Sequence, residues 1–288
     1  MISVIFSVCY ISKNSPVLIG TGHTLIMVFC AKAKIVDKEK IERGYWRLRL
    51  SGCGDIAGKS MPGQFLHILC QDFSKKSCDK KSPILRRPIS IHRILAPDII
   101  EILFKVVGQG TCLLSQKEIG QPLDILGPIG NGFKIARGKE ALLVAGGIGI
   151  APLYALAESL RRGGEDVCLF MGGKTSEDIL CKDELRNLGI EVKIATDDGS
   201  LGHHGLVTDL LPTTHPLPTL YACGPQNMLK EVAKIAKRRG ILCQVLLEER
   251  MACGIGACMS CVCPTKEGKY VRVCVDGPVF DAEEVDWE

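Results

Sequence analysis

The sequence has few aromatic residues and no concentration of charge of one sign. Phe, Trp and Tyr make up 5% of its 288 residues, and 36 basic side chains nearly balance 32 acidic ones, for a formal net charge of +4. The basic residues are dispersed rather than interleaved with aromatic ones, so nucleic-acid binding is not indicated. A hydrophobic share of 46% and a charged share of 24% are typical of a globular protein, and the length suits two or more compact domains.

The chain also lacks an uninterrupted apolar segment long enough to cross a bilayer. Residues 1–30 are apolar without periodicity, but Lys13, Asn14 and Pro16 interrupt them, whereas a spanning helix needs about 20 consecutive apolar residues. No basic segment precedes the apolar start, so a signal peptide is not indicated. We expect no membrane association. We interpret residues 1–30 as a disordered extension or as a stretch upstream of a true start at Met27, a question that the intact mass of the natively expressed protein decides.

Cysteine, in contrast, is abundant. The fifteen cysteines form no obvious disulfide framework, which indicates a reducing cytoplasm where thiols persist. Four of them follow the pattern C-x4-C-x2-C and then, after twelve further residues, a last cysteine: Cys253, Cys258, Cys261 and Cys274. This is the plant-type spacing of the ligands of a [2Fe-2S] cluster. Gly254 and Gly256 fit a loop that approaches the cluster closely and needs positive φ angles.

Two other interpretations of these cysteines are a disulfide pair and a structural zinc site. Zinc sites usually present two short C-x2-C pairs, whereas this loop has one such pair and an x4 gap. Cys263 competes for the third or fourth ligand position, but the x4, x2 spacing is complete without it. The pattern therefore favours the iron–sulfur ligand set given above.

The pattern of residues 31–135 predicts short strands separated by turns that contain Gly and Pro. Tyr45 to Leu50 alternates, Pro62 to Ile68 follows a turn, and Ile99 to Val107 is rich in Ile, Leu and Val. Such a pattern predicts a small antiparallel β-barrel. Two polar stretches interrupt it that a purely structural barrel does not need: Arg87-Pro88-Ile89-Ser90 and Gly108-Gln109-Gly110-Thr111.

These two stretches predict a flavin site. The Arg87 guanidinium can make paired bonds to a pyrophosphate, Ser90 can reach a ring nitrogen of the flavin, and Gly110 and Thr111 can offer an amide and a hydroxyl to the same phosphates. Lys105 can place positive charge near a reduced, anionic flavin. The structural alternatives are an Arg-Pro strand end, a plain glycine turn and an exposed strand lysine.

After residue 135 the pattern changes to alternating strands and helices. The apolar run Ala141 to Val144 is typical of a buried parallel strand, and it leads through a turn into a helix whose apolar face ends at Gly163. Strand, glycine turn and helix N-terminus form a phosphate site. Its predicted residues are Gly146, Gly147, Gly149 and Pro152, and Pro152 stands where the dinucleotide fingerprint has its third glycine.

Three further strands end in polar or glycine-rich turns, and the repeat predicts a five-stranded parallel sheet with ligands at the carboxyl ends of its strands. Asp197 or Asp198 can accept bonds from ribose hydroxyls and repel a 2′-phosphate, which favours NAD over NADP. Cys223, Gly224 and Pro225 can bring backbone and a thiol beside the nicotinamide. The structural alternatives are a turn cap and a buried cysteine. His203-His204 are expected to face solvent.

Together these motifs resemble a known family. Gly146 to Pro152, Cys223-Gly224-Pro225 and Arg87 to Ser90 resemble the ferredoxin–NADP reductase superfamily, although an aromatic residue often stands there in place of Ile89. With the loop of residues 247–261 and the stretch Arg272 to Phe280, residues 31–288 resemble the electron-transfer subunits of class 1B dihydroorotate dehydrogenases.

The resemblance implies an FAD-binding barrel over residues 31–135, an NAD-binding α/β domain over 136–246 and a small [2Fe-2S] module over 247–288. It also implies a partner subunit that holds FMN and oxidises dihydroorotate in pyrimidine biosynthesis, in an assembly of two copies of each subunit. A TIM-barrel dehydrogenase needs about 250 residues, and no segment is left for one. Because cofactors carry such chemistry, we predict no general base in this chain.

Two alternatives remain open at this point. Subunits of NADH-dependent ferredoxin:NADP or sulfide-type oxidoreductases share the same cofactors and differ in their partner. A non-enzymatic scaffold that binds zinc belongs to another class, and it is colourless, whereas a flavin with an iron–sulfur cluster absorbs across the visible range.

Overall fold

The computed structural model describes residues 17–21, 24–71, 83–212 and 218–288. Its strands are β1 Val17–Thr21, β2 Thr24–Glu42, β3 Tyr45–Ser51, β4 Phe65–Leu69, β5 Arg87–Ala96, β6 Ile99–Lys105, β7 Pro122–Ile129, β8 Ala141–Gly146, β9 Val167–Gly173, β10 Glu191–Thr196, β11 His203–His204, β12 Thr219–Cys223, β13 Cys243–Leu246, β14 Val262–Pro264, β15 Tyr270–Arg272 and β16 Val279–Asp281. Its α-helices are α1 Gly54–Ala57, α2 Gln109–Ser115, α3 Ile150–Arg162, α4 Lys182–Asn187 and α5 Gln226–Arg239.

The first half of the chain is an antiparallel barrel. Its strands follow the order β2-β3-β6-β5-β4-β7, and β7 pairs with β2 to close it. Alternate residues point inward, so Leu66 and Ile68 of β4 lie in the barrel core while His67 and Phe65 face outward. This confirms the barrel that the sequence predicts.

Part of the N-terminal segment belongs to this architecture. β1 forms a hairpin with the start of β2, with Val17 opposite Val28 and Thr21 opposite Thr24. The expectation of a disordered extension is therefore wrong for residues 17–21 and 24–30, because their backbone groups are paired in a β-ladder. Residues 1–16 lie outside the described part of the chain.

The second sheet contains the five predicted parallel strands in the order β10-β9-β8-β12-β13, and the two-residue β11 adds a sixth parallel strand at one edge. Helix α3 covers one face with Leu153, Leu156 and Leu160 buried. Helix α5 ends at Gly240, which adopts the left-handed conformation with a φ of 64°. His203 and His204 are exposed, as expected.

The C-terminal stretch packs against both domains. β14 and β15 form a small hairpin, and β16 then adds to the α/β sheet antiparallel to β13. The segment 247–288 is therefore continuous with that sheet at its edge. In the part of the chain that the structure describes, no helix is long and apolar enough to span a membrane.

Candidate functional site

The cysteine-rich loop lies between β13 and β14. Gly254 and Gly256 have φ angles of 69° and 77°, and Met259 also has a positive φ of 59°. The sequence analysis predicted this conformation for the two glycines. A Cβ at Gly256 would lie 2.9 Å from a methyl group of Val275, so the close approach to the following segment also requires glycine there.

The four predicted ligands come together in two pairs. The side chains of Cys253 and Cys258 lie within hydrogen-bond reach of each other, and so do those of Cys261 and Cys274. Cys258 is exposed, whereas Cys261 and Cys274 are buried. Across the described ranges, no group of three or more His, Cys, Asp or Glu side chains is placed to hold a single metal ion.

This pairing fits the predicted cluster. A [2Fe-2S] cluster has two irons joined by sulfide, and each iron takes two thiolates from the protein. A structural zinc ion instead needs four ligands around one point. Two adjoining thiol pairs on a glycine-bearing loop match the ligand pattern of a two-iron cluster. Cys263, the competing ligand, is buried in β14 and lines a different cavity, described below.

Neighbouring polar groups shape this loop and its thiols. The Ser260 side chain, followed by the backbone amides of Ser260 and Cys253, lowers the pKa of Cys258 to about 6 by hydrogen bonding to its thiolate. Arg272 donates from Nη1 to the Gly256 carbonyl at 3.1 Å and is itself paired with Asp276 through Nε at 3.0 Å. The Arg272 contacts tie the loop to the segment that follows β15.

A cavity of about 220 Å³ lies between the barrel and the α/β domain. Five of the seven residues predicted to bind flavin line it: Pro88, Ile89, Ser90, Lys105 and Thr111. The cluster module contributes Met251 and Pro278 to the same wall. The geometry thus gathers most of the predicted flavin motif into one site that also touches the iron–sulfur module.

Arg87 and Gly110, the other two predicted flavin residues, lie next to each other at the start of α2. A Cβ at Gly110 would fall 2.6 Å from Arg87 Nε, so glycine is required for this packing. Arg87 Nη1 donates to the carbonyls of Leu85 at 2.8 Å and Arg86 at 3.1 Å, which orients the guanidinium. The arrangement brings a positive charge to the amides that begin α2 and fits a pyrophosphate.

Thr111 contributes differently from the prediction. Its Oγ1 accepts from the amides of Val107 at 3.0 Å and Gly108 at 3.2 Å, and donates to the Gly108 carbonyl at 3.1 Å. The hydroxyl therefore closes the turn before α2 rather than remaining free for a phosphate. A threonine of this kind is a turn cap.

A second cavity, of about 790 Å³, opens at the carboxyl ends of the parallel strands. Gly146, Gly147 and Gly149 line it, together with Gly224 and Pro225. A Cβ at Gly146 would lie 2.5 Å from Pro225, and one at Gly149 would overlap the Cys223 carbonyl. The glycines therefore let the turns after β8 and β12 touch, which forms a cradle of backbone beside the N-terminus of α3, as expected for a dinucleotide.

Three predicted nucleotide residues lie away from this cavity. Pro152 is buried in the first turn of α3, where proline is tolerated because its amide would have no partner. The Cys223 thiol is buried, and burial raises its pKa well above the ordinary value. Asp198 caps its own turn, accepting from Ser200 N at 2.9 Å and Ser200 Oγ at 2.6 Å. Asp197 does line the cavity.

The two cavities share a wall formed by Lys105, Ile148, Leu247, Glu248 and Glu249. At this wall the Lys105 Nζ is 3.2 Å from Asp178 Oδ1 and lies over the Tyr45 ring. The Tyr45 hydroxyl donates to the same carboxylate oxygen at 2.5 Å.

Sequence analysis did not predict the roles of Tyr45 and Asp178, because they are far apart along the chain and carry no motif. Gly172 and Gly173 also line the nucleotide cavity. They could have been predicted from the sequence, because a pair of glycines at the end of a strand is typical of a nucleotide-binding turn.

Comparisons with known proteins agree with this geometry. Residues 248–286 match the family "iron–sulfur cluster binding domain of dihydroorotate dehydrogenase B", and residues 143–234 match the "oxidoreductase NAD-binding domain". The chain is 42% identical over 231 residues to the dihydroorotate dehydrogenase B (NAD+) electron transfer subunit of Bacillus velezensis, covering 78% of this chain and 86% of that protein. It is 40% identical to the corresponding subunit of Bacillus caldolyticus, covering 90% of this chain and 99% of that protein.

A solved structure of an NADH-dependent reduced ferredoxin–NADP oxidoreductase, studied for flavin-based electron bifurcation, is also similar. One of its chains superimposes with a TM-score of 0.77 at 31% identity, covering 88% of this chain and 90% of that chain. The identity and coverage of the curated relatives determine the family. The chain belongs to the electron transfer subunits of NAD+-dependent dihydroorotate dehydrogenase B.

Proposed function

We propose that this chain carries electrons between NAD(H) and a separate FMN-containing subunit that oxidises dihydroorotate to orotate in pyrimidine biosynthesis. The observation that carries the proposal is the order of the sites. The nucleotide cavity shares a wall with the flavin cavity, and the flavin cavity touches the module that bears the thiol pairs. The three sites are thus arranged in the spatial order that an electron relay requires: nucleotide, flavin and cluster.

The chain's own residues bind and orient the cofactors. When bound, FAD exchanges a hydride with NAD(H) and single electrons with the [2Fe-2S] cluster. Arg87 and the amides around Gly110 hold the FAD pyrophosphate, while Ser90 faces the ring. Cys253, Cys258, Cys261 and Cys274 hold the cluster. We assign these tasks to residues 31–135 for FAD, 136–246 for NAD and 247–288 for the cluster.

The nucleotide cavity favours NAD(H). The backbone cradle at Gly146, Gly147 and Gly149 binds the pyrophosphate, and Gly224 with Pro225 approaches the nicotinamide. The Asp197 carboxylate accepts from ribose hydroxyls and repels a 2′-phosphate. Lys105, fixed by Asp178 and Tyr45, provides positive charge where the nucleotide cavity and the flavin cavity adjoin. No side chain of this chain is assigned as a general base.

The exposed rim of the cluster loop is the surface for the partner subunit. Ile255 and Met259 are 37% and 51% exposed at this rim, beside the exposed Ser260. Apolar exposed side chains next to a redox centre suit a docking surface. We propose a heterotetramer with two copies of each subunit. We place it in the cytoplasm, since none of the thirteen cysteines of the described residues forms a disulfide.

The test is an anaerobic visible spectrum of the chain coexpressed with an FMN-containing dihydroorotate dehydrogenase barrel subunit from the same genome. Dihydroorotate should bleach flavin and cluster in the complex, and should leave the spectrum of this chain alone unchanged. NADH should bleach the flavin in both samples. A complex whose cluster never responds to dihydroorotate would contradict the proposal.

The second candidate is a subunit of an NADH-dependent ferredoxin:NADP oxidoreductase, which the structural similarity favours. It shares the cofactors and differs in the electron partner. In the same experiment, this function would give a spectrum that responds to NADH and to reduced ferredoxin but not to dihydroorotate.

A further inference from the structure

His67 lies on the wall between the flavin cavity and the cluster module. It is on the outer face of β4, two residues from Phe65, which lines the flavin cavity. Phe65 also belongs to the same apolar core as Cys261 and Cys274. The outer face of β4 is therefore the place where the barrel meets the iron–sulfur module.

The His67 ring is buried without satisfying its polar atoms. The residue is 1% exposed, and among the described residues neither Nδ1 nor Nε2 makes a well-aligned hydrogen bond, although the backbones of Arg86 and Cys253 lie close to the ring. A buried polar group without a good hydrogen bond lowers the stability of the folded state. If the imidazole only filled space, an apolar side chain of similar size would therefore make the protein more stable. The ring instead faces a region where a partner is expected.

That region is the start of the cluster loop. A Cβ at Gly254 would lie 2.6 Å from His67 Nδ1, so the ring packs directly on this glycine. The backbone of Cys253, the first predicted cluster ligand, lies beside the ring as well. Gly254 has a φ of 69°, the left-handed conformation that turns the loop around the ring.

Building on the proposed function, we propose that His67 is a positioning residue for the [2Fe-2S] cluster: a ring N–H donates a hydrogen bond to the sulfur side of the cluster at Cys253. Such a bond stabilises the more negative, reduced cluster and raises its reduction potential. It also fixes the cluster loop against the strand that borders the flavin cavity.

The test is an anaerobic redox titration of the chain with its cofactors, followed by the electron paramagnetic resonance (EPR) signal of the reduced cluster. His67→Leu keeps the volume and removes the donor, and we expect about tenfold less reduced cluster at a fixed potential, a shift of about 59 mV downward. His67→Gln, which keeps a donor, should recover part of the shift. His203→Leu, on an exposed histidine of the α/β domain, is the matched control and should leave the potential unchanged.

A His67→Leu protein with full iron content and an unchanged potential would overturn the proposal. If that variant loses its iron, the wild-type chain decides: with ¹⁵N-labelled histidine, electron spin echo spectra of the reduced cluster should show a ¹⁵N coupling that disappears in His67→Gln. Absence of that coupling in the wild type would also overturn the proposal. A wild-type chain with no cluster signal at all would refute the proposed function itself, which separates the two failures.

Discussion

The barrel contacts its two neighbours in different ways. Toward the α/β domain the contacts combine an apolar core with buried ion pairs. Tyr45 and Leu103 of the barrel pack in one core with Leu153 of α3. Arg47 pairs with Glu184 at 2.7 Å and Arg93 with Glu158 at 3.0 Å. Lys105 and Tyr45 add their bonds to Asp178 at the edge of the nucleotide cavity. The contacts of Lys105, Tyr45 and Asp178 line a site whose ligand must enter and leave.

Toward the cluster module the contacts are apolar and close. Phe65 and Leu126 of the barrel pack in one core with Cys261 and Cys274. Asn131 Nδ2 donates to the carbonyls of Val275 at 3.2 Å and Asp276 at 2.9 Å. A close-packed interface holds its parts at a fixed separation. The difference teaches that one interface serves an exchangeable nucleotide and the other serves a resident cluster.

Loss of the resident cluster should give the largest effect. Cys258→Ser removes one thiolate of the first pair, so the cluster should be lost while FAD is retained. NADH should still bleach the flavin, but the rate of NAD reduction by dihydroorotate in the complex should fall by about 100-fold or more. Iron analysis and that rate are the measurements. Cys263→Ser is the matched control, and unchanged iron in Cys258→Ser would contradict the ligand assignment.

Breaking the nucleotide cradle should have the next largest effect. In Gly149→Ala the new Cβ would overlap the Cys223 carbonyl and push the two turns apart. We expect the KM for NADH to rise about tenfold or more while the cluster and its EPR signal stay intact. Gly58→Ala, where the Cβ would meet its nearest atom at 3.4 Å, should leave the KM unchanged. An unaltered KM in Gly149→Ala would show that the contact between these two turns is not needed for NADH binding.

Loosening the polar interface should affect stability and its pH dependence. Burial alone would raise the pKa of Asp178, but hydrogen bonds from Tyr45 and Lys105 outweigh it and lower the pKa below its ordinary value. Because the folded-state pKa is lowered, the stabilisation is present above the unfolded pKa, about 4, and is lost as the pH falls through the lower folded value.

Asp178→Asn should therefore lower the free energy of unfolding at neutral pH by about 2 kcal/mol. The difference between wild type and variant should shrink in acid below about pH 4. Thermal unfolding followed across this pH range is the measurement. Asp183→Asn, whose carboxylate is 75% exposed beside Arg186 on α4, is the control. A difference that stays constant with pH would show that Asp178 does not act through its charge.

The smallest effect concerns nucleotide choice. Asp197→Asn should reduce the preference for NADH over NADPH by about tenfold or less, since one hydrogen bond and one repulsive charge are removed. Asp198→Asn should leave the ratio unchanged, because its carboxylate is bound to Ser200 outside the cavity. Comparing kcat/KM for the two nucleotides gives the answer. Equal ratios in wild type and Asp197→Asn would show that Asp197 does not discriminate between NADH and NADPH.

Local patterns in the sequence predicted the fold class and several backbone conformations well. The five parallel strands and the positive φ of Gly254 and Gly256 follow from patterns within a few residues. The C-x4-C-x2-C spacing also lies within one loop, and the structure adds that its thiols form two pairs. The spacing of residues along the chain predicts the geometry of groups that are only a few residues apart.

Contacts between distant segments were not predictable in the same way. His67 reads as the polar member of an alternating strand, but the cluster module covers it. Tyr45 and Asp178 meet across 133 positions of sequence. Asp197 and Asp198 were indistinguishable until the turn placed one in the cavity and the other on Ser200. Tertiary packing selects among residues that local patterns leave equivalent.

The most direct test of the relay is an anaerobic titration of the purified chain with NADH, followed by visible and EPR spectra together. The account predicts that flavin bleaching is accompanied by the EPR signal of a reduced [2Fe-2S] cluster, and that each chain takes up more electrons than its FAD content alone accepts. Flavin bleaching without any cluster signal, at full iron content, would contradict the claim that the two interfaces join one electron path.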